Sequence, residues 1–338
     1  MKFRYLLSTV LMLAAVLLAA GCSDDDNGTG PVDGETAATV TIDATDHENY
    51  AHFSLTTGTT VTEADDWHVA FRRTAIKLNG GLSATGGGSV QGANLDVVDY
   101  EDVSIDDTAG VTWQEDDVDY FMDEWYDYNY QTHELSANQY VYSMVDAEGD
   151  NYAKFQVDSI VGAGMPPDMG TVWLTYYYQP TAGSSDLSGA TSTASITIGA
   201  GTGYFDFSSG SQVTPATPSS STEWDIAFHS YNLMQNSGPN GTGSCAAFLA
   251  WGELTDPTDI DGFTTQPTAA PLFGDSPLST MTEWYNYDGT THLLTSKGEI
   301  YLLQIDSDTF YKVRIDSYYT NISGSPVSGY FTLTYEEL

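Results

Sequence analysis

EWYDYNYQTHELS, at residues 124–136, decides the fold because nearly the same stretch, EWYNYDGTTHLLT, returns at residues 283–295. The two copies lie 159 residues apart, and each keeps a histidine in the same place. Each copy carries the aromatic segment WYxY, and aromatic side chains favour strands because they pack well on a half-buried pleated surface. The repeat therefore predicts two copies of one strand-rich unit.

Further matches lie on both sides of this stretch, in the same order and with nearly the same offset. The matched pairs are 49–58 with 203–210, 65–81 with 222–238, 151–160 with 309–318, and 171–178 with 329–337. A constant offset over so many segments indicates tandem duplication of one domain. Residues 180–195 are rich in Gly, Ser and Thr, as linkers are. We therefore predict repeat 1 at 39–180, a linker at 181–195 and repeat 2 at 196–338.

Alternation of apolar and polar residues sets the fold class. In TFYKVRID (309–316), Tyr311, Val313 and Ile315 alternate with charged residues, the period-two pattern of a half-buried strand. No long stretch after residue 21 has helical periodicity. The sequence predicts an all-β protein with two tandem, mostly antiparallel β domains of the same fold, and each repeat is expected to close a sheet over its own core.

The N-terminus has the features of a lipoprotein signal. Lys2 and Arg4 precede an apolar stretch that ends in LLAAGC at Cys22, and that stretch is short for a spanning helix. We predict a signal peptide at residues 1–21, lipidation of Cys22, and an acidic flexible tether at 22–38. Ser23 directly after the cysteine is typical of outer-membrane sorting, so the predicted location is the outer membrane, exposed at the cell surface.

The chain is strongly acidic, with 47 Asp and Glu, 9 Lys and Arg, and a formal net charge of −38. Such a surface repels nucleic acid and anionic lipid headgroups, so neither is an expected partner. With Cys22 acylated, Cys245 has no partner for an intramolecular disulfide and is expected to be a buried, inert thiol. HExxH, GxSxG and phosphate-loop motifs are absent from the sequence, and an enzyme is not the expected function.

The repeated motifs WYxYxxxTHxL, YxK and a terminal GYxTxxY strand resemble the HmuY-like family of haem-binding surface lipoproteins. The resemblance covers most of residues 39–178 and 196–338. It implies a mostly antiparallel β fold whose loops form a haem pocket, a lipid anchor, and partnership with an outer-membrane haem-uptake receptor. Repeat 1 departs from the pattern, because His68 stands where repeat 2 has the expected Asp225.

The resemblance also implies candidate site residues. The downstream iron ligand falls at His133 in repeat 1 and His292 in repeat 2, while Arg72 and Arg73 are placed to meet haem propionates. The spans where the family carries its upstream ligand contain no histidine in either repeat. Two structural alternatives stay open: the histidines pack or cap a turn after the WYxY strand, and the arginines are simply solvated.

The leading hypothesis is a non-catalytic cell-surface lipoprotein that binds haem or a related porphyrin for uptake. The alternative is a surface lipoprotein that uses the same β fold to bind a glycan or a protein partner without haem. Exposed tyrosine and tryptophan side chains would suit stacking on sugars. Whether one or both repeats bind the ligand stays open at this point.

Overall fold

Antiparallel strands build the protein, as the alternation in the sequence predicts. The computed structural model describes residues 37–164, 168–250, 253–269, 271–322 and 325–338. The predicted signal peptide and Cys22 lie outside these residues. None of the helices in the described residues is long and apolar enough to cross a membrane. The prediction of an all-β, mostly antiparallel protein is confirmed.

The strands of the first repeat are short, apart from two at its end. They are β1 (Ala38–Asp43), β2 (Ala51–Ser54), β3 (Thr59–Val61), β4 (Val69–Arg72), β5 (Ala75–Leu78), β6 (Gln91–Asn94), β7 (Asp117–Asp119), β8 (Tyr126–Asn129), β9 (Glu134–Ala137), β10 (Tyr142–Val145), β11 (Tyr152–Val161) and β12 (Thr171–Tyr178).

The second half of the chain repeats this order. Its strands are β13 (Ser192–Thr197), β14 (Thr202–Asp206), β15 (Ser211–Val213), β16 (Ile226–His229), β17 (Asn232–Gln235), β18 (Ala246–Leu249), β19 (Ser276–Leu278), β20 (Tyr285–Asp288), β21 (Leu293–Ser296), β22 (Ile300–Gln304), β23 (Phe310–Ile322) and β24 (Ser325–Glu337). Short 3₁₀ helices are Gly81–Ser83, Tyr100–Asp102, Ile105–Thr108, Asp123–Trp125 and Pro218–Ser220.

The two largest sheets each combine strands from both halves of the chain. The terminal sheet has the order β1-β24-β23-β22-β6, and the central sheet has the order β13-β12-β11-β10-β18. Each faces a smaller sheet, β3-β2-β4-β5 in the first case and β15-β14-β16-β17 in the second. In the terminal sheet β1 pairs with β24 over its full length, so the first and last described strands are neighbours.

The hydrophobic cores follow the sheets rather than the repeats. In the terminal core, Phe53 and Phe71 of repeat 1 pack with Val313 and Phe331 of repeat 2. The central core takes its members from residues 122–247 and likewise crosses the boundary between repeats. This differs from the expectation that each repeat closes a core of its own. The predicted boundaries at 39–180 and 196–338 stay a prediction about units of sequence.

A local two-fold relation connects the repeats. β7 pairs antiparallel with β19, and Val118 lies opposite Pro277. These two residues are 159 positions apart, which is the offset of the duplicated motif, so equivalent strands of the two repeats pair with each other. The segment predicted as a linker also makes contacts, since Leu187 is buried and its N–H donates to the Thr264 carbonyl at 2.8 Å.

Two buried lysines fasten one repeat to the other. Lys154 on β11 is 1% exposed, and its Nζ donates to the carbonyls of Ile260 and Phe263, both at 2.8 Å. Lys312 on β23 makes the equivalent contact in the terminal sheet, donating to the Val103 carbonyl at 3.0 Å. The alternation in TFYKVRID placed Lys312 on the polar face of a half-buried strand, but loop 100–103 covers that face, and the lysine is buried.

One departure from the repeat pattern, His68 in the place of Asp225, keeps a hydrogen bond to the same backbone position. Asp225 accepts the N–H groups of Phe207 and Ala147, both at 2.8 Å, and burial raises its pKa to about 7. His68 Nδ1 accepts the equivalent N–H of Leu55 at 3.0 Å. Burial also lowers the pKa of His68, which favours the neutral ring that this acceptor role needs.

The packing predicts which fragment of the chain folds alone. Residues 119–276 contain the whole central core and central sheet, so this fragment should be monomeric with one cooperative unfolding transition. Residues 39–180 hold half of each core and should not form a stable monomer. Denaturant unfolding monitored by near-ultraviolet circular dichroism, with size-exclusion chromatography, tests both fragments. A cooperative, monomeric 39–180 fragment would contradict the shared cores.

Candidate functional site

The duplicated motif forms a hairpin in each repeat, and each histidine lies in its turn. Hairpin 1 is β8–β9 and carries His133, and hairpin 2 is β20–β21 and carries His292. Each histidine closes its turn with a backbone hydrogen bond to the residue four positions earlier. The backbone N–H of His133 donates to the Asn129 carbonyl at 2.7 Å, and that of His292 donates to the Asp288 carbonyl at 2.8 Å. Both histidines thus lie in a turn directly after the WYxY strand, and their role as iron ligands stays a prediction.

Side chains at the start of each turn fix this shape. Asn129 Oδ1 accepts the N–H of Gln131 at 2.9 Å, and Asp288 Oδ1 accepts the N–H of Thr290 at 2.8 Å. Asn and Asp favour turns through such contacts to the backbone two residues on. The chain then reaches the last turn position, which has positive φ.

Both histidines occupy that left-handed position, with φ +59° at His133 and +57° at His292. Glycine adopts this conformation at no steric cost, whereas other residues pay about 1–2 kcal/mol for it. Strained positions of this kind concentrate at functional sites. The β4–β5 turn and its counterpart in repeat 2 also place non-glycine residues at positive φ, Arg73 at +50° and Ser230 at +52°, so this conformation by itself marks a turn and not a ligand site.

Each imidazole is held by a tyrosine of its own hairpin. Tyr128 Oη lies 2.6 Å from His133 Nδ1, and Tyr287 Oη lies 2.5 Å from His292 Nδ1. The ring centroids are 6.1 Å and 6.0 Å apart in the two pairs. With Nδ1 engaged and both imidazoles exposed to solvent, Nε2 is the ring nitrogen that remains for a ligand. The sequence analysis missed these tyrosines, although each stands five residues before its histidine in both copies.

Tryptophans anchor the hairpins to the other repeat. Trp125, 1% exposed, donates its indole N–H to the Tyr231 carbonyl at 2.9 Å. Trp284 donates in the same way to the Thr74 carbonyl at 3.0 Å. Tyr231 and Thr74 belong to the equivalent turns β16–β17 and β4–β5. The position of each histidine is thus set by the fold of both repeats.

The structure keeps the two histidines in separate places. Hairpin 1 packs on the central core through Trp125, and hairpin 2 packs on the terminal core through Trp284. Within the described residues, no group of three or more His, Cys, Asp or Glu is arranged to hold a metal ion. Each hairpin therefore offers one imidazole, and the two do not form a joint ligand pair.

A groove of about 580 Å³ lies beside hairpin 1. Its walls carry the aromatic rings of Tyr126, Tyr128, Tyr130 and Tyr140, together with carboxylates and one amide. Tyr130 is 82% exposed. Hairpin 2 has Gly289 in the position of Tyr130, so this aromatic surface is specific to repeat 1.

The two candidate arginines point to different places. Arg72 lies over the Tyr50 ring, with 4.6 Å between its Cζ and the ring centroid. Arg73 occupies the β4–β5 turn with φ +50° and donates from its guanidinium to Ser328 Oγ at 3.2 Å. The two guanidinium groups therefore have no contact in common. Arg73 adjoins Thr74, which accepts the indole N–H at the base of hairpin 2.

The histidines of the two hairpins meet one requirement of a haem-iron ligand. A neutral imidazole whose second nitrogen is held by a hydrogen bond is a normal axial ligand. The exposed Nε2 of each hairpin meets that requirement. The groove beside hairpin 1 adds tyrosine rings close to the hairpin, although His133 itself is not among the residues that line it. Cys245, which was expected to be a buried thiol and not a site residue, is buried, and burial raises the pKa of its thiol.

Comparison with known proteins shows which family the sequence matches. The sequence profile described as "HmuY protein" matches residues 46–139 and 201–276, which together are half of the chain. None of the curated proteins compared with the chain matches it. Among solved structures, an HmuY-like haem-binding protein of Bacteroides vulgatus ATCC 8482 matches at TM-score 0.34 and 11% identity, covering 89% of this chain and 91% of that one.

Two further solved structures are similar at the same or a lower level. The apo HmuY analogue of Tannerella forsythia matches at TM-score 0.34 and 11% identity, covering 90% of this chain and 98% of that one. A lipoprotein of Bacteroides fragilis NCTC 9343 matches at TM-score 0.18 and 16% identity, covering 52% and 95%. Matches of this strength do not define a shared ligand site.

The hairpin geometry predicts that the histidines matter little for stability. Replacing His133 or His292 with Gly relieves the left-handed strain and loses one tyrosine bond, a bond that contributes about 0.5–1.5 kcal/mol. The two effects nearly cancel, so the free energy of unfolding should change by less than about 1 kcal/mol. Trp125→Ala is the matched control and should cost about 3–5 kcal/mol. Urea unfolding measures all three, and a loss above about 3 kcal/mol in a glycine variant would show that the histidine is structural.

Proposed function

The chain belongs to the HmuY family, and from that premise we propose that it is a non-catalytic surface lipoprotein that binds haem or a related porphyrin for uptake. The family match covers the segment that carries hairpin 1, including His133, but ends before hairpin 2. Haem is the cargo in this proposal, not a resident cofactor. The uptake receptor would be an outer-membrane partner.

The observation that carries the proposal is the tyrosine-held histidine in each hairpin turn. When Nε2 binds iron, the ring proton is on Nδ1 and is donated to the Tyr128 or Tyr287 hydroxyl oxygen. Such a bond fixes the ring orientation and the tautomer of a metal-binding histidine. Tyr128 and Tyr287 are therefore positioning residues, while His133 and His292 are the proposed iron ligands.

Hairpin 1 is the stronger site in this proposal. The groove beside it gives a porphyrin face an aromatic wall that hairpin 2 lacks. Asp123, Glu124 and Asp127 also line the groove, so the propionates would point away from it towards solvent. At hairpin 2, Arg73 is the proposed propionate partner. It lies in the β4–β5 turn, where its neighbour Thr74 accepts the indole N–H of Trp284.

One protein ligand per hairpin sets the expected strength of binding. The open coordination position would be taken by water or left free, which gives weaker binding than two protein ligands provide. Because the hairpins lie on different cores, each chain would hold up to two haems independently. We expect repeat 1 to bind more tightly than repeat 2.

The same groove supports the second candidate function, glycan binding without haem. Tyrosine rings stack on the apolar faces of sugars, and the carboxylates and the Asn138 amide would take up hydroxyl groups. This alternative needs Tyr130 but not His133. The two functions therefore predict opposite results for variants of these two residues.

Haemin titration tests the proposal. The wild-type chain should give a saturable Soret shift. In His133→Gly, which lacks the proposed iron ligand of hairpin 1, only the weaker binding at hairpin 2 should remain. His133→Gly with His292→Gly should abolish it. Tyr128→Phe should weaken binding less than His133→Gly but change the Soret position, because the ring loses its orienting bond.

Tyr130→Ala provides the control for glycan binding. It should reduce glycan retention on an array and leave iron coordination in place. A double glycine variant that binds haemin as tightly as the wild type would exclude ligation by these histidines. Retention of a glycan by the wild type that is lost in Tyr130→Ala, with no Soret shift in either, would favour the second function.

The location is proposed from the N-terminal sequence, which lies outside the described residues. Lipidation at Cys22 would anchor the chain by its acyl groups, each buried methylene contributing about 0.8 kcal/mol. Cys22→Ser should therefore lose palmitate label and move from the membrane to the soluble fraction. Cys245→Ser is the matched control and should keep both label and location. An unlabelled wild type that still sediments with membranes would contradict the anchor.

A further inference from the structure

A second pocket, of about 300 Å³, lies at the junction between the repeats. Repeat 1 contributes Tyr50, Arg72 and Lys77 to its walls, and repeat 2 contributes Pro239 and Pro277. The lining therefore combines cationic and apolar groups, with both repeats needed to complete it. It is separate from the hairpins that carry the proposed iron ligands.

Arg72 stands out among the cations of this acidic chain. The sequence has nine Lys and Arg, of which Lys2 and Arg4 precede the described residues, leaving seven. Within the described part of the chain, the guanidinium of Arg72 makes no hydrogen bond or ion pair and only lies over the Tyr50 ring. Lys77, its neighbour in the pocket, is 3.6 Å from a Glu63 carboxylate oxygen. A guanidinium offers five N–H donors, so Arg72 is prepared for an anion from outside.

Polar atoms around this pocket also lack partners. Tyr50 Oη and Asp116 Oδ1 are buried without a hydrogen bond in the described residues. Burial raises the pKa of Tyr50, with Asp116 adding to the rise and Arg72 opposing it, so all three groups lie near one another. Asp116 is 3% exposed, and burial raises its pKa to about 7. Buried polar atoms are costly unless a partner or a water satisfies them.

The second repeat shows that the fold does not require these residues. The strand registers of β2–β4 and β14–β16 make Thr202 the equivalent of Tyr50, and His229 the equivalent of Arg72. Thr202 Oγ1 and His229 Nδ1 bond to each other at 2.9 Å. Met234 stands in the place of Lys77. In this pocket repeat 1 therefore carries two cations and a phenol where repeat 2 has His229, Met234 and Thr202.

We propose that the junction pocket binds a small monocarboxylate with an apolar body, one molecule per chain. The planar guanidinium fork of Arg72 matches a carboxylate in two parallel bonds. Glu63 and Asp275 also line the pocket, and their charges oppose a dianion such as phosphate more than a single carboxylate. Leu82 and the two prolines supply an apolar wall for the rest of the molecule. The proposal is independent of haem binding.

Benzoate is the probe, and benzamide, which has the same shape without charge, is its control. At pH 8, calorimetric titration of the full chain should show saturable benzoate binding and none for benzamide. Arg72→His installs the residue of repeat 2, which this fold already accepts, and should weaken benzoate binding at least tenfold. Lys77→Met, likewise taken from repeat 2, should weaken it by a smaller factor.

Arg314→Gln is the matched control, because Arg314 is an arginine on β23 that does not line the pocket. It should bind benzoate as the wild type does. The Arg72 Nε–H resonance should shift with benzoate and not with benzamide. Absence of saturable benzoate binding in the wild type would overturn the proposal. Equal binding by Arg72→His, or an equal loss in Arg314→Gln, would overturn it as well.

Discussion

The pairing of β1 with β24, and of β13 with β12 in the central sheet, is the constraint on which the rest of this structure depends. In both cases a strand from the start of one repeat covers the long last strand of the other. Without it, β24 or β12 would present an unpaired edge, and the core side chain that the covering strand contributes, Ile42 or Ile196, would be lost. The duplication is thus built into the packing, because neither set of strands can bury its apolar face alone.

This exchange also positions the functional groups. Trp125 and Trp284 seat each hairpin on a turn that belongs to the other repeat, and Lys154 and Lys312 fix loops in the same crossed manner. Both lysines are tolerated in the interior because carbonyl oxygens replace water around their ammonium groups, and Lys312 Nζ also lies 3.1 Å from a Glu336 carboxylate oxygen. The proposed ligand sites on the hairpins are therefore held by shared cores, although the turns themselves are exposed. Precise placement of an exposed imidazole becomes feasible on such a frame.

Local pattern predicted the strand-rich, mostly antiparallel class and several of the strands, because alternation and aromatic content act over a few residues. It did not predict which strands pair, since a period-two pattern specifies the face of a strand and not its neighbour. For the same reason Lys312 looked solvent-facing, when a distant loop covers it. The histidine positions were visible in the sequence, but the left-handed turn and the Tyr128 contact depend on backbone geometry that residue types do not show.

Comparison of the two repeats separates residues required by the fold from residues free to change. Positions that serve the crossed cores keep their chemistry, and where one changes, as at His68 for Asp225, the new side chain still accepts the same backbone N–H. At the junction pocket, by contrast, the equivalent residues make different contacts. The Arg72 guanidinium is open to an anion, whereas the His229 ring is hydrogen-bonded to Thr202. In a duplicated protein with shared cores, both copies must keep the residues that form those cores, but a ligand site is needed in only one copy. The sites that differ between the copies are therefore where binding specificity has room to arise.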